Sequence, residues 1–198
     1  MKPRSFIITI CLLVFCSATS EASMLLYHKP EFKGQVVDIG TKAPIEGAVV
    51  VAIYKKNTLN PPAGSYTHVI EVKETLTDKN GRFSFPSYTT FIHPLSYSAG
   101  CSFLIYKPGY GSQGQVGITS FLSGAAEKNW ERVSNNNKNL VFRYLTDGTV
   151  EIPRLMTNED MKDAWMNAHI WGASLDKDEV PILFKTVTNE NHKYMIRP

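Results

Sequence analysis

Apolar and polar residues alternate with period two along most of the first two-thirds of the chain, and this pattern predicts strands. In Tyr66 to Thr77, the residues Tyr66, His68, Ile70, Val72 and Leu76 share one face, while Thr67, Glu71, Lys73, Thr75 and Thr77 share a wet one. Arg82 to Phe85 places Phe83 and Phe85 inward and Arg82 and Ser84 outward. Ala48 to Tyr54 is apolar on both faces, which predicts a central strand covered on both sides. Phe103 to Tyr106 and Leu140 to Leu145 read as further strands, and Val150-Glu151-Ile152 alternates again. Turn chemistry falls between these runs. Asp78-Lys79-Asn80-Gly81 supplies an Asn-Gly pair that tolerates positive φ, and reversals are predicted at Pro44 to Gly47, Asn57 to Gly64, Pro108-Gly109 and Asp147-Gly148.

From 111 to 139 the pattern weakens. Gly111, Gly114, Gly117 and Gly124, then Asn135-Asn136-Asn137, predict a long excursion with one short helix around Ala125 to Arg132. The period then changes. Thr157 is an N-cap candidate with Asp160 three residues on, followed by Met161, Trp165 and Ala168 at helical spacing and by Gly172 as a stop. Pro181 starts a second predicted helix, through about Asn189. An amphipathic tail of this kind is expected to pack back on its own domain.

The N-terminus adds an address. Lys2 and Arg4 precede an apolar run, Phe6 to Phe15, too short to cross a bilayer, and Ser20 and Ala22 sit at cleavage-site spacing before Ser23. Residues 1–22 are therefore expected to be a signal peptide, 23–155 the β domain, and 156–198 a helical tail. Lipidation at Cys16 is the alternative, although Phe15 is a poor neighbour for it. No later segment is apolar enough to span a membrane. Cys11 and Cys16 fall within the leader, so the mature chain keeps Cys101, read as a small core residue. The formal charge of +3 becomes near neutral once Lys2, Arg4 and Glu21 are removed. No basic run suggests a nucleic-acid or anionic-membrane surface.

Gly34-Gln35-Val36-Val37-Asp38, Pro44-Ile45-Glu46-Gly47-Ala48, Asp78-Lys79-Asn80-Gly81-Arg82-Phe83 and Lys107-Pro108-Gly109-Tyr110 occur in that order. Together they resemble the carboxypeptidase regulatory-like domain, over roughly Glu31 to Tyr110 and more loosely to Leu155. The resemblance implies a mainly β fold, a transthyretin-like Greek-key β-sandwich of about seven strands, here with a short α-helical C-terminal appendage. It also implies a folding partner, spacer or recognition module rather than a peptidase.

Candidate chemistry is sparse. His28-Lys29-Pro30-Glu31 has the His-x-x-Glu spacing of a zinc site but no third ligand. His68, His93, His169 and His192 form no ligand pair. Asp78 and Asn80 are too few for calcium. The chain end, Tyr194-Met195-Ile196-Arg197-Pro198, departs from the Tyr-Arg-Gly-Ser of hydroxyisourate hydrolase, an enzyme of the transthyretin-like fold. No nucleophile elbow is present. The reading is therefore a non-enzyme with no catalytic residue, metal or cofactor. It is expected to contact an envelope protein or glycan, and no nucleic acid, through sandwich loops or the tail. Tyr88, Phe91, Tyr97 and Tyr110 are the candidate ligand-contact aromatics, and Trp165 and Trp171 the candidate partner contacts of the tail. A small hydrolase on the same scaffold, or a lipid-anchored subunit of an envelope complex, is the alternative.

Overall fold

The computed structural model describes residues 26–60, 62–133 and 140–194. The expectations for the leader at 1–22, for Cys16, for Asn135-Asn136-Asn137 and for the chain end from Met195 lie outside these residues, as does the His192 side chain.

The alternating segments become strands of two main sheets. One has five strands in the order β5 (Arg82–Phe85), β2 (Phe32–Asp38), β11 (Thr149–Ile152), β10 (Val141–Tyr144), β9 (Trp130–Val133). Its β2–β11 pair is parallel and joins residues more than a hundred positions apart, Val36 beside Val150. The other has four, in the order β4 (Ser65–Leu76), β3 (Val49–Leu59), β7 (Ser96–Tyr106), β8 (Gln113–Val116). A two-stranded ribbon of β1 (Leu26–Lys29) and β6 (Tyr88–Phe91) flanks them. The inward residues of both sheets meet in one core, with Phe32, Val36, Phe83 and Ile152 from one side and Val50, Tyr54 and Phe103 from the other. The fold is mainly β and sandwich-like, with helices at its C-terminal end.

Central placement of Ala48 to Tyr54 holds. β3 lies between β4 and β7, and its residues from Val49 to Tyr54 are fully buried. Val50, Ala52 and Tyr54 face the sandwich core, whereas Val49, Val51 and Ile53 face a second core completed by the tail. That core contains Trp165 and Ala168 of α2 (Asn158–Ala173) and Leu183 and Val187 of α3 (Pro181–Tyr194). The Thr157 cap forms as its sequence predicts, accepting from Asp160 N at 3.1 Å. Pro181 opens α3, and the Glu74 carboxylate of β4 accepts from the next two amides, Ile182 N at 2.6 Å and Leu183 N at 2.9 Å. Those amides have no partner inside the helix, and an anion suits the positive end of the helix dipole. Tyr106 Oη donates to Glu190 at 2.5 Å, so both ends of α3 are tied to the four-stranded sheet.

Two local expectations are corrected. The short helix is α1 (Thr119–Leu122), not Ala125 to Arg132. Phe121 and Leu122 plug the core, Gly124 turns the chain at φ +72°, and Trp130–Val133 pairs with β10 as β9. The single apolar face read into Tyr66 to Thr77 is also broken. Pairing skips Ile70 where Tyr54 meets Glu71 and Lys55 meets Val69, a bulge that puts Tyr66 and His68 on the opposite face from Val72. Both are exposed, because neither the helices nor the five-stranded sheet reaches that half of β4. Among the described residues, no helix is long and apolar enough to cross a membrane.

Candidate functional site

The helical layer closes the outer face of the four-stranded sheet and, among the described residues, does not cover the outer face of the five-stranded sheet. Alternation in its strands turns Phe32, Val36, Phe83, Phe142, Val150 and Ile152 inward, so Lys33, Gln35, Arg82, Arg143, Thr149 and Glu151 point out. Registers then set them in rows. One row crosses β9, β10 and β11 as Glu131, Arg143 and Glu151. A second joins Thr149, Gln35 and Arg82, along a groove of about 610 Å³ bordered by Lys33, Asp78 and Asp147.

The first row is closed by a loop. Asp38 N donates to Ala43 O at 2.9 Å and Lys42 N to Asp38 O at 2.8 Å, folding 39–43 back on β2. Lys42 takes φ +59°, a left-handed conformation that non-glycine residues adopt at a cost of about 1–2 kcal/mol. Its Nζ reaches Glu151 Oε1 at 2.7 Å. Charges therefore alternate as Lys42, Glu151, Arg143, Glu131, with Arg143 Nε 2.5 Å from Glu131. The Glu151 side chain is 5% exposed. Its Oε2 has no hydrogen-bond partner among the described residues, and Arg143 Nη1 stands 3.9 Å away. A buried carboxylate oxygen without a donor is costly. Around it lies a recess of about 290 Å³, bordered also by Asn129, Leu145 and Trp130. Trp130 is 41% exposed and stacks on Tyr144 at 5.1 Å.

A second charged knot holds the same end. Asp38 Oδ1 accepts from Gly40 N at 2.9 Å and Thr41 N at 3.0 Å, and Oδ2 from Arg154 at 3.3 Å. Burial alone pushes this carboxyl up, but the two amides and Arg154 outweigh it and hold Asp38 below the usual carboxylate range. Because the folded value is depressed, its stabilisation is present above about pH 4 and lost as pH falls through the folded value. Asp38→Asn is expected to cost about 1–3 kcal/mol at pH 7 and progressively less as pH falls through the folded value of Asp38. Thermal unfolding of both proteins across that range checks this; a pH-independent difference contradicts it.

The aromatics singled out in the sequence are scattered. Tyr88 packs on Tyr54 and Tyr27, at 4.9 and 5.9 Å between ring centroids, under the Lys73 ammonium. Phe91 is 83% exposed on the same ribbon, and Tyr97 is exposed near the start of β7. Tyr110 lies elsewhere, its hydroxyl accepting from Arg154 at 2.7 Å. Trp165 is 3% exposed, donates to Val187 O at 2.9 Å and stacks on His169. Trp171 is partly exposed and lies over Gly114, where a Cβ would overlap its indole. The His-x-x-Glu pair is divided: His28 bonds Thr89 at 2.7 Å and Glu31 pairs with Lys33 at 2.9 Å. Asp78 accepts from Asn80 N and Arg82 N, both at 2.8 Å, as a turn residue does. Cys101 lies in the core, and burial pushes its thiol up to about 12. Among the described residues, no three His, Cys, Asp or Glu side chains gather as a metal site would need.

Sequence reading missed Lys42, Glu131, Arg143 and Glu151. The one signal available was Glu151 itself, a charge between Val150 and Ile152, which alternation sends to the outer face. Neither recess is bordered by histidine or cysteine, and the four charges of the smaller one balance. Such a lining offers donors and acceptors together, which suits hydroxyl groups better than a net charge. Comparison with protein-family models, with curated proteins and with solved structures finds no match to this chain.

Proposed function

We propose that the chain is an exported, non-catalytic binding module of the cell envelope that holds a glycan on the open face of its five-stranded sheet. The observation that carries this reading is the charge-balanced recess floored by Glu151, whose Oε2 lacks a donor. A sugar hydroxyl both donates and accepts, so one vicinal pair serves the exposed Glu131 carboxylate and the Arg143 guanidinium together, with Glu151 holding Arg143 from beneath. The scaffold is read as a transthyretin-like Greek key of the carboxypeptidase regulatory-like type, on the order of the four motifs from Gly34 to Tyr110. In this reading the tail is a structural layer, because Trp165 is spent on the second core.

A hydrolase on the same scaffold is the second reading, favoured by two carboxylates, Glu131 and Glu151, on either side of Arg143. A glycan array followed by titration calorimetry tests both. The wild type is expected to bind a neutral saccharide, and Glu151→Gln or Arg143→Ala to weaken it at least tenfold with an unchanged melting temperature. Loss of binding in neither variant removes the site from the face. Release of cleaved sugar makes the protein an enzyme, and capture of a polypeptide instead of any saccharide makes its partner a protein.

A further inference from the structure

The β3–β4 hairpin tip, the start of β7 and the β1–β6 ribbon converge on one end of the molecule. Leu59 N donates to Leu95 O at 2.8 Å, Tyr27 Oη to Gly100 O at 3.1 Å, and Leu26 lies opposite Phe91. Leu26, Leu59, Tyr66, Phe91, Leu95 and Tyr97 are all exposed there, Phe91 the most of these six. Scattered apolar residues on a surface mean little, but a concentration of them at one end does.

Charge at this end leans to one sign. Residues 26–29, 55–73 and 88–102 contain Lys29, Lys55, Lys56 and Lys73 against one carboxylate, Glu71, which bonds to Tyr88 of the ribbon. No stretch of the sequence is a basic run; three separated segments make this end only when the strands pair. Lys55 is drawn to Ser102 and Gln115, and Lys29 and Lys73 stand over the Tyr27 and Tyr88 rings, leaving Lys56 the freest of the four lysines.

We infer that this end rests on an anionic phospholipid surface. Exposed Phe and Leu enter the acyl boundary, Tyr66 and Tyr97 suit the headgroup level, and the excess of lysine over the single Glu71 favours anionic lipids. The Lys42–Glu151 recess lies toward the opposite end of β2 and β3, so it faces away from the bilayer. The proposal is independent of what that recess holds.

The mature chain from Ser23 is tested on phosphatidylglycerol vesicles beside Phe91→Asp/Leu95→Asp. The double variant is expected to keep the wild-type melting temperature and to lose at least tenfold in vesicle partition. Equal partition would mean that Phe91 and Leu95 do not carry the binding, and would overturn the proposal. Phe91→Trp gives a second reading: its added emission is expected to be quenched by brominated acyl chains, and unquenched emission also overturns it. So does a dimer in lipid-free solution that the double variant dissolves, with no vesicle binding, since the same end would then meet a second copy.

Discussion

Trp165→Ala is expected to lower the free energy of unfolding by about 3–5 kcal/mol, the range for emptying a buried aromatic site. Trp165 is 3% exposed and joins both tail helices to Val49, Val51 and Ile53. Its indole donates to Val187 O, so truncation removes a cross-helix bond along with the ring. Trp165→Phe keeps most of the volume and loses the N–H, for an expected cost of about 1 kcal/mol beyond repacking. Urea unfolding followed by tryptophan fluorescence and by far-ultraviolet circular dichroism separates the cases. An alanine variant within 1 kcal/mol of wild type would mean that the helices are not held by this contact.

Gly81→Ala is expected to cost about 2–5 kcal/mol, from two independent sources. Gly81 sits at φ +70°, where a side chain costs about 1–2 kcal/mol. A Cβ there would also stand 2.4 Å from Val36 O and 3.1 Å from Ile45 N. These are backbone atoms, and Val36 is itself bonded to the turn through Val36 N to Gly81 O at 2.8 Å. Relief therefore requires moving β2 against β5, a strain of about 1–3 kcal/mol. Gly100→Ala is the internal control, with φ +97° and open space around its Cβ. It is expected to cost only the conformational part. If both substitutions cost the same, the clash at Val36 is absorbed and the turn is softer than its hydrogen bonds imply.

Local chemistry accounts for what was legible in the sequence. Asn80-Gly81 names its turn because few residues tolerate that φ, Thr157 caps its helix through one side-chain bond, and Pro181 marks a helix start. The two-sided apolar run Ala48 to Tyr54 announces a strand between layers, although not that one layer is helical. Failures came where the outcome depends on distant partners. Tyr66 and His68 changed face because a bulge at Ile70 shifts register, and nothing in Ser65–Leu76 alone encodes that. Trp130–Val133 became a strand because β10 offers an edge. Glu151 is covered by Lys42, 109 positions earlier, which folds over it. The aromatics from Tyr88 to Tyr110 are near in sequence but parted by strand alternation and by the length of β7.

The helical layer has a consequence for how the chain is made. Synthesis runs from the N-terminus, so every strand of the four-stranded sheet leaves the ribosome before Trp165, Leu183 and Val187 exist to cover it. Until then Val49, Val51, Ile53, Leu104 and Tyr106 form a bare β-branched and aromatic surface, the kind that recruits other chains. Glu74, exposed on β4 while it waits for the amides of Ile182 and Leu183, puts a negative charge on that surface during the interval. The residue that later caps the last helix thus serves first as a gatekeeper against aggregation.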